Sequence, residues 1–144
     1  MNNRKRSLWV GAAVLACTLV ASATSAQAAT VKKGTGKTYY GCTNTVYMWK
    51  SGSTVRAYAQ QDCRQKVKIM RPTVALSGNN GKTFVSKGKA CKSSKSCRTA
   101  TVSVKANKKW TYRASNSGSA SFASSNQADF WWPTNTVAHA TLKN

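Results

Sequence analysis

Two carboxylates, Asp62 and Asp129, and one histidine, His139, are the acid–base groups that this 144-residue chain offers near neutral pH. A glycosidase pair would have to join Asp62 to Asp129. Asp62 stands beside Cys63, where a carboxylate more often supports a turn or a basic neighbour. A Ser–His–Asp triad would take His139, Asp129 and one of many serines, yet no G-x-S-x-G elbow nominates one. Neither a phosphate loop nor a G-x-G-x-x-G run is present. The sequence predicts a protein that is not an enzyme, with no catalytic residue, no cofactor and no metal.

What the chain has in abundance is positive charge. Twenty-three Lys and Arg face two acids, a formal net charge of +21. The stretch from Lys82 to Arg113 alone holds ten cations and no acid. Arg56, Lys66, Lys68, Lys105 and Arg113 fall on the polar side of apolar alternations, and Lys92, Lys95 and Arg98 sit on or beside a short cysteine loop. If the strands share a sheet, the strand cations form an array on one face, and Lys92, Lys95 and Arg98 add a second concentration beside it. Such an array binds phosphate or carboxylate polymers by counterion release, with affinity that falls steeply in salt. The expected partner is an extracellular polyanion: cell-wall polymer, acidic polysaccharide or extracellular DNA. No helix-turn-helix, zinc finger or ribonucleoprotein motif is present to read a nucleic-acid sequence.

Two other functions compete with this one. One is a cationic antagonistic or antimicrobial effector acting on envelopes, which would want an exposed apolar face beside the charge. The other is a secreted protease inhibitor that offers Lys92 or Lys95 from the CKSSKSC loop as bait. Among the aromatic residues, Trp131 and Trp132 are adjacent and in a strand must face opposite sides. One of them is therefore a candidate for stacking on a ligand. Tyr39, Tyr40, Tyr47, Trp49 and Phe130 suit either a stacking platform or a core, whereas Trp110 and Tyr112 share the apolar parity and read as core.

The residues that position this chemistry follow an export signal. Arg4, Lys5 and Arg6 precede an apolar run from Leu8 to about Val20, and Ala26-Gln27-Ala28 supplies an A-x-A cleavage site. Residues 1–28 thus read as a secretory signal peptide; acylation at Cys17 is the rival reading. Removing them takes three cations and leaves a charge of +18 on residues 29–144. No later segment is long and apolar enough to span a bilayer as a helix. The protein is expected outside the cell, in an unknown oligomeric state. Its remaining cysteines, Cys42, Cys63, Cys91 and Cys97, then read as two disulfides. Three pairings are possible, and the sequential one is preferred because Cys42 and Cys63 flank a predicted hairpin. A zinc site is disfavoured because no C-x2-C pair occurs.

Residues 29–37 (ATVKKGTGK) read as a flexible basic arm, and residues 38–144 as one domain. Period-2 alternation marks Thr54–Gln60, with Val55, Ala57 and Ala59 inward, and Thr99–Ala106, with Ala100, Val102, Val104 and Ala106 inward. The second parity resumes at Trp110, Tyr112 and Ala114, which predicts a hairpin across Asn107–Lys109. Turns fall at Ser51-Gly52-Ser53 and at Ser77–Gly81. The expected fold is all-β: an antiparallel, immunoglobulin-like β-sandwich of roughly seven strands with two disulfides. With its export signal, Gly41-Cys42 and Asp62-Cys63 spacing and Cys91–Cys97 loop before a Thr/Val strand, the chain resembles small two-disulfide β-rich secreted proteins of filamentous actinobacteria. That resemblance implies a fold and a location, and no activity.

Overall fold

The structure, a computed structural model, describes residues 30–122 and 132–144. The signal segment, Asp129 and Trp131 lie outside the described residues. The fold is all-β. Ten strands are described: β1 (Lys32–Thr35), β2 (Cys42–Ser51), β3 (Thr54–Arg71), β4 (Thr73–Gly78), β5 (Thr83–Gly88), β6 (Cys91–Arg98), β7 (Val102–Lys105), β8 (Thr111–Asn116), β9 (Ser119–Ser121) and β10 (Ala138–Lys143). A single 3-10 turn, Thr134–Thr136, precedes the last.

The strands form two sheets. In the first, β1, β2, β3 and β6 are neighbours in that order, and β7 and β9 also pair with β3. Thr54 pairs with both Ser51 and Lys105, and Ile69 with both Lys92 and Ser121. One edge of β3 therefore carries β2 and then β9, and the other carries β7 and then β6. The second sheet runs β10-β8-β4-β5. All pairings are antiparallel.

Alternation turns one side of each strand to a shared core. Val46, Met48, Val55, Ala57, Ala59, Val102 and Val104 come from the first sheet, and Val74, Leu76, Tyr112, Ala114, Ala138, Ala140 and Leu142 from the second. A second cluster gathers Cys42, Cys63, Val67, Met70, Cys97 and Ala120, with Cys91, Phe122 and Trp132 packed against it. Both disulfides belong there, joining Cys42 to Cys63 and Cys91 to Cys97. Chain-entropy arguments give about 3 kcal/mol for the longer loop and about 2 for the shorter.

Two buried asparagines cross-link the sheets. Asn116 on β8 donates from Nδ2 to the carbonyls of Thr45 (3.1 Å) and Gln60 (2.9 Å) in the first sheet. Its Oδ1 accepts from the amides of Thr73 (3.2 Å) and Gly118 (3.0 Å). Asn44 on β2 donates to the carbonyls of Gly118 (2.7 Å) and Thr136 (3.3 Å). Gln61, opposite Asn44, is fully buried with both amide atoms lacking a partner among the described residues. That arrangement costs stability, because a buried polar group without a hydrogen bond keeps its desolvation penalty.

Five sequence expectations change. The arm at residues 29–37 contains β1, in register with β2 from Lys32↔Met48 to Thr35↔Thr45. Its glycines serve close approach rather than flexibility: a Cβ on Gly34 would lie 1.8 Å from the His139 carbonyl oxygen, and one on Gly36 2.0 Å from that of Thr136. The hairpin predicted across Asn107–Lys109 is a crossing between sheets, since β7 pairs with β3 while β8 pairs with β4 and β10. The inward parity of Val102, Val104, Tyr112 and Ala114 holds, but β7 starts only at Val102. Before it Thr99 is buried, its Oγ1 taking the Ala59 amide at 3.0 Å, and Ala100 is exposed. The Cys91–Cys97 loop is most of β6, paired with β3 across a register shift between Asp62 and Val67. With β1, β6, β9 and β10 formed, the described strands number ten rather than roughly seven.

Replacing Asn116 by Leu should therefore destabilise the protein by at least about 3 kcal/mol, since four backbone groups lose a partner. Gln61→Met should act in the opposite sense, raising stability by about 1 kcal/mol by removing unsatisfied polar atoms at similar volume. Urea unfolding of both variants checks the pair. Gly34→Ala should cost about 1–3 kcal/mol by forcing β1 from β10, seen as faster amide exchange in β1.

Candidate polyanion-binding face

The two-residue turn between Ser51 and Thr54 sets β2 against β3 so that Tyr47 lies opposite Tyr58, and Trp49 opposite Arg56. These residues occupy the outward parity of strands whose alternate residues are buried. Cross-strand neighbours on one face interact directly. The Tyr47 and Tyr58 rings stack with centroids 4.7 Å apart and planes at 21°. Trp49 meets Tyr58 edge-on at 5.9 Å.

Cations close both ends of the stack. The Arg98 guanidinium carbon lies 3.6 Å from the Tyr58 centroid, and Lys33 Nζ lies 5.8 Å from that of Tyr47. Across β1, β2, β3 and β6 the order is thus Lys33, Tyr47, Tyr58, Arg98. Attraction of a cation to the ring quadrupole contributes about 0.5–1 kcal/mol at exposed sites. The inner face of each ring meets the other ring and its outer face meets a cation, so the ladder offers solvent its ring edges, two phenolic hydroxyls and the cationic groups. Neither hydroxyl has a hydrogen-bond partner among the described residues.

Around the ladder, Arg56 donates from Nε to Thr54 Oγ1 at 3.3 Å, and Lys105 lies opposite Thr54. Asp62 is the one acidic side chain among the described residues. Its carboxylate accepts from Gln60 Nε2 at 3.1 and 2.9 Å and from Ser96 Oγ at 2.6 Å.

The eight cations named from the sequence are all exposed, but the strand cations do not all share one sheet. Arg98 belongs to the ladder, and Arg56 and Lys105 flank it. Lys66 and Lys68 stand on the far half of β3, with Lys92 and Lys95 on β6 beside it; Lys92 pairs with Ile69. Arg113 lies on β8 in the second sheet. Trp132 is half-buried against the cysteine-rich cluster, edge-on to Tyr39 at 5.4 Å, with its Nε1 buried and unpartnered among the described residues. Trp131 lies outside the described residues.

Sequence reasoning missed Lys33 and Tyr58, and left Tyr47 and Trp49 between platform and core. The signal was available. Alternation already placed Tyr58 with Arg56 on the polar side, and a two-residue turn fixes which residues oppose one another. His139 is exposed on β10, opposite Ser115. Among the described residues no helix is long and apolar enough to cross a membrane. No family model, curated protein or solved structure matches this chain.

A double-mutant cycle between Tyr58→Ala and Arg98→Ala should return a coupling of about 0.5–1 kcal/mol, measured by urea unfolding. The same cycle between Tyr58→Ala and Lys66→Ala should return none.

Proposed function

We propose that this chain is an exported, strongly basic binding module that engages an extracellular polyanion through the outward face of its first sheet. The observation that carries this reading is the ladder of Lys33, Tyr47, Tyr58 and Arg98, flanked by Arg56 and Lys105, on a face whose single carboxylate is already held by Gln60 and Ser96. Because the ring faces are occupied within the ladder, its free chemistry is hydrogen-bond donation and positive charge. That chemistry suits phosphate, sulfate or carboxylate oxygens better than flat bases or sugar faces. Cell-wall polymer, acidic polysaccharide and extracellular DNA all present such oxygens. Lys66, Lys68, Lys92 and Lys95 extend the positive charge along β3 and β6.

The architecture that holds this face is, in our reading, an immunoglobulin-like sandwich. Both sheets contribute to one core, and Tyr112 supports the comparison: its hydroxyl donates to the Lys105 carbonyl (3.0 Å) and accepts from the Asn107 amide (2.7 Å). A tyrosine near the start of a late strand, bonded back to the preceding backbone, is a recurrent device of that fold. Export is supported by the leader-like first 28 residues and by two disulfides, which suit an oxidising compartment. A membrane-active effector is less well supported, since the large apolar side chains exposed among the described residues, Val31, Tyr40 and Phe84, are dispersed along the chain. Lys92 and Lys95 stand on a paired strand, which suits a protease bait poorly.

Retention on purified anionic cell walls across a NaCl series tests the reading. The purified protein should bind with log affinity falling linearly in log salt. Arg98→Ala should weaken binding roughly tenfold, about 1.4 kcal/mol, while Lys82→Ala, which removes an equal charge from a turn of the second sheet, should change it no more than about twofold. Equal losses from the two variants would reduce the face to generic adhesion and overturn the proposal.

A further inference from the structure

The outward face of the second sheet carries a separate feature. Ser77, Arg113 and Thr141 form one cross-strand row over β4, β8 and β10, and Thr111 pairs with Lys143 in the row two residues along. All five line a surface hollow. The turn after β4 walls it with Asn80 and Gly81, whose φ values of 56° and 91° hold the chain in left-handed conformations. We infer that this hollow is a binding site for a single tetrahedral oxyanion, a phosphate or sulfate group.

The donor inventory carries the inference. Arg and Lys side chains donate and accept nothing, and a hydroxyl can turn its proton toward whatever needs one. The hollow therefore collects two cations and three hydroxyls, and no carboxylate side chain lines it. None of these five side chains has a hydrogen-bond partner among the described residues, and nor do the amides of Asn80 and Gly81. A cluster of unspent donors is complemented by a group made of acceptors. Neighbouring strands stand roughly 5 Å apart and alternate residues roughly 7 Å apart, so Arg113 and Lys143, on adjacent strands two residues apart, have side chains long enough to reach one group seated between them, with the Thr111 and Thr141 hydroxyls beside it. A fork-like guanidinium adds bidentate geometry that a lysine cluster lacks.

This site does not depend on the ladder. It lies on the other sheet and would take one group rather than a polymer track. Arg113 thereby acquires a role different from that of Arg56 and Arg98.

The test is a titration of the protein with inorganic phosphate, followed by amide NMR shifts at constant ionic strength against sodium chloride. Saturable shifts should appear at Gly81, Thr111, Arg113, Thr141 and Lys143 in phosphate and not in chloride. Arg113→Gln and Lys143→Gln should each weaken phosphate binding at least fivefold, while Lys89→Gln, which removes an exposed cation outside the hollow, should leave it unchanged. Both substitutions are on exposed residues, and the retained spectrum of each variant reports its fold. Dimethyl phosphate, titrated in the same way, separates a diester within a polymer from a free or terminal phosphate. Saturation by either compound at these amides upholds the site. Non-saturating shifts, equal shifts in chloride, or saturation centred on Lys33 and Arg98 overturns it, whatever becomes of the ladder.

Discussion

The relation between the two sheets rests on two amides buried where water cannot reach. Apolar contact is non-directional, so valines, alanines and a methionine bring two sheets together without dictating their offset. Asn116 removes that freedom by bonding at once to backbone of β2, of β3, of β4 and of Gly118 just before β9. Asn44 adds the turn before β10. Each bond contributes little net free energy, but its absence would leave a buried donor or acceptor bare. Gly118 completes the junction, because a Cβ there would lie 2.8 Å from Asn44 Oδ1 and 2.9 Å from Pro72 Cα. Everything the outer faces present is placed by this inner constraint.

Much of that placement was legible from alternation. Period 2 identified which residues point inward in the first half of β3, in β7 and in β8, and the cysteines flanking the first hairpin identified their own pairing. Sheet membership was not legible. Val102, Val104, Tyr112 and Ala114 must point inward whether their strands pair with each other or belong to different sheets, so parity cannot separate a hairpin from a crossing. The arm was misread for a related reason. Lysine and glycine describe both a loose tail and an edge strand, and only the neighbour across the gap, the backbone of β10, explains why Gly34 and Gly36 lack side chains. In β6, Ser93 adopts a φ of 48° within the strand, a local departure that composition disguised as a loop.

The candidate sites divide on the same line. The ladder follows from turn geometry and alternation within one hairpin, both local properties, and then recruits Lys33 and Arg98 from strands far along the chain. The hollow on the second sheet joins β4, β8 and β10, whose order depends on the crossing that sequence could not resolve. A net charge of +21 announces attraction to anions and is silent about where it acts. The geometry divides that charge between a face of stacked rings with flanking cations and a compact set of donors.

β3 gives the molecule a further property. Its 18 residues run through both hydrophobic clusters, from Val55 beside the main core to Met70 beside the disulfides, and it hydrogen-bonds to four other strands on the way. Local opening normally follows seams where one packed unit meets the next. Here the seam is spanned by continuous backbone paired on both edges as far as Asp62, so the two clusters share one strand. Slow hydrogen exchange would then be shared by the paired stretches of β3 on either side of the shift between Asp62 and Val67, and a protease would find its first cuts at the margins, in strands such as β5 that pair on one side only.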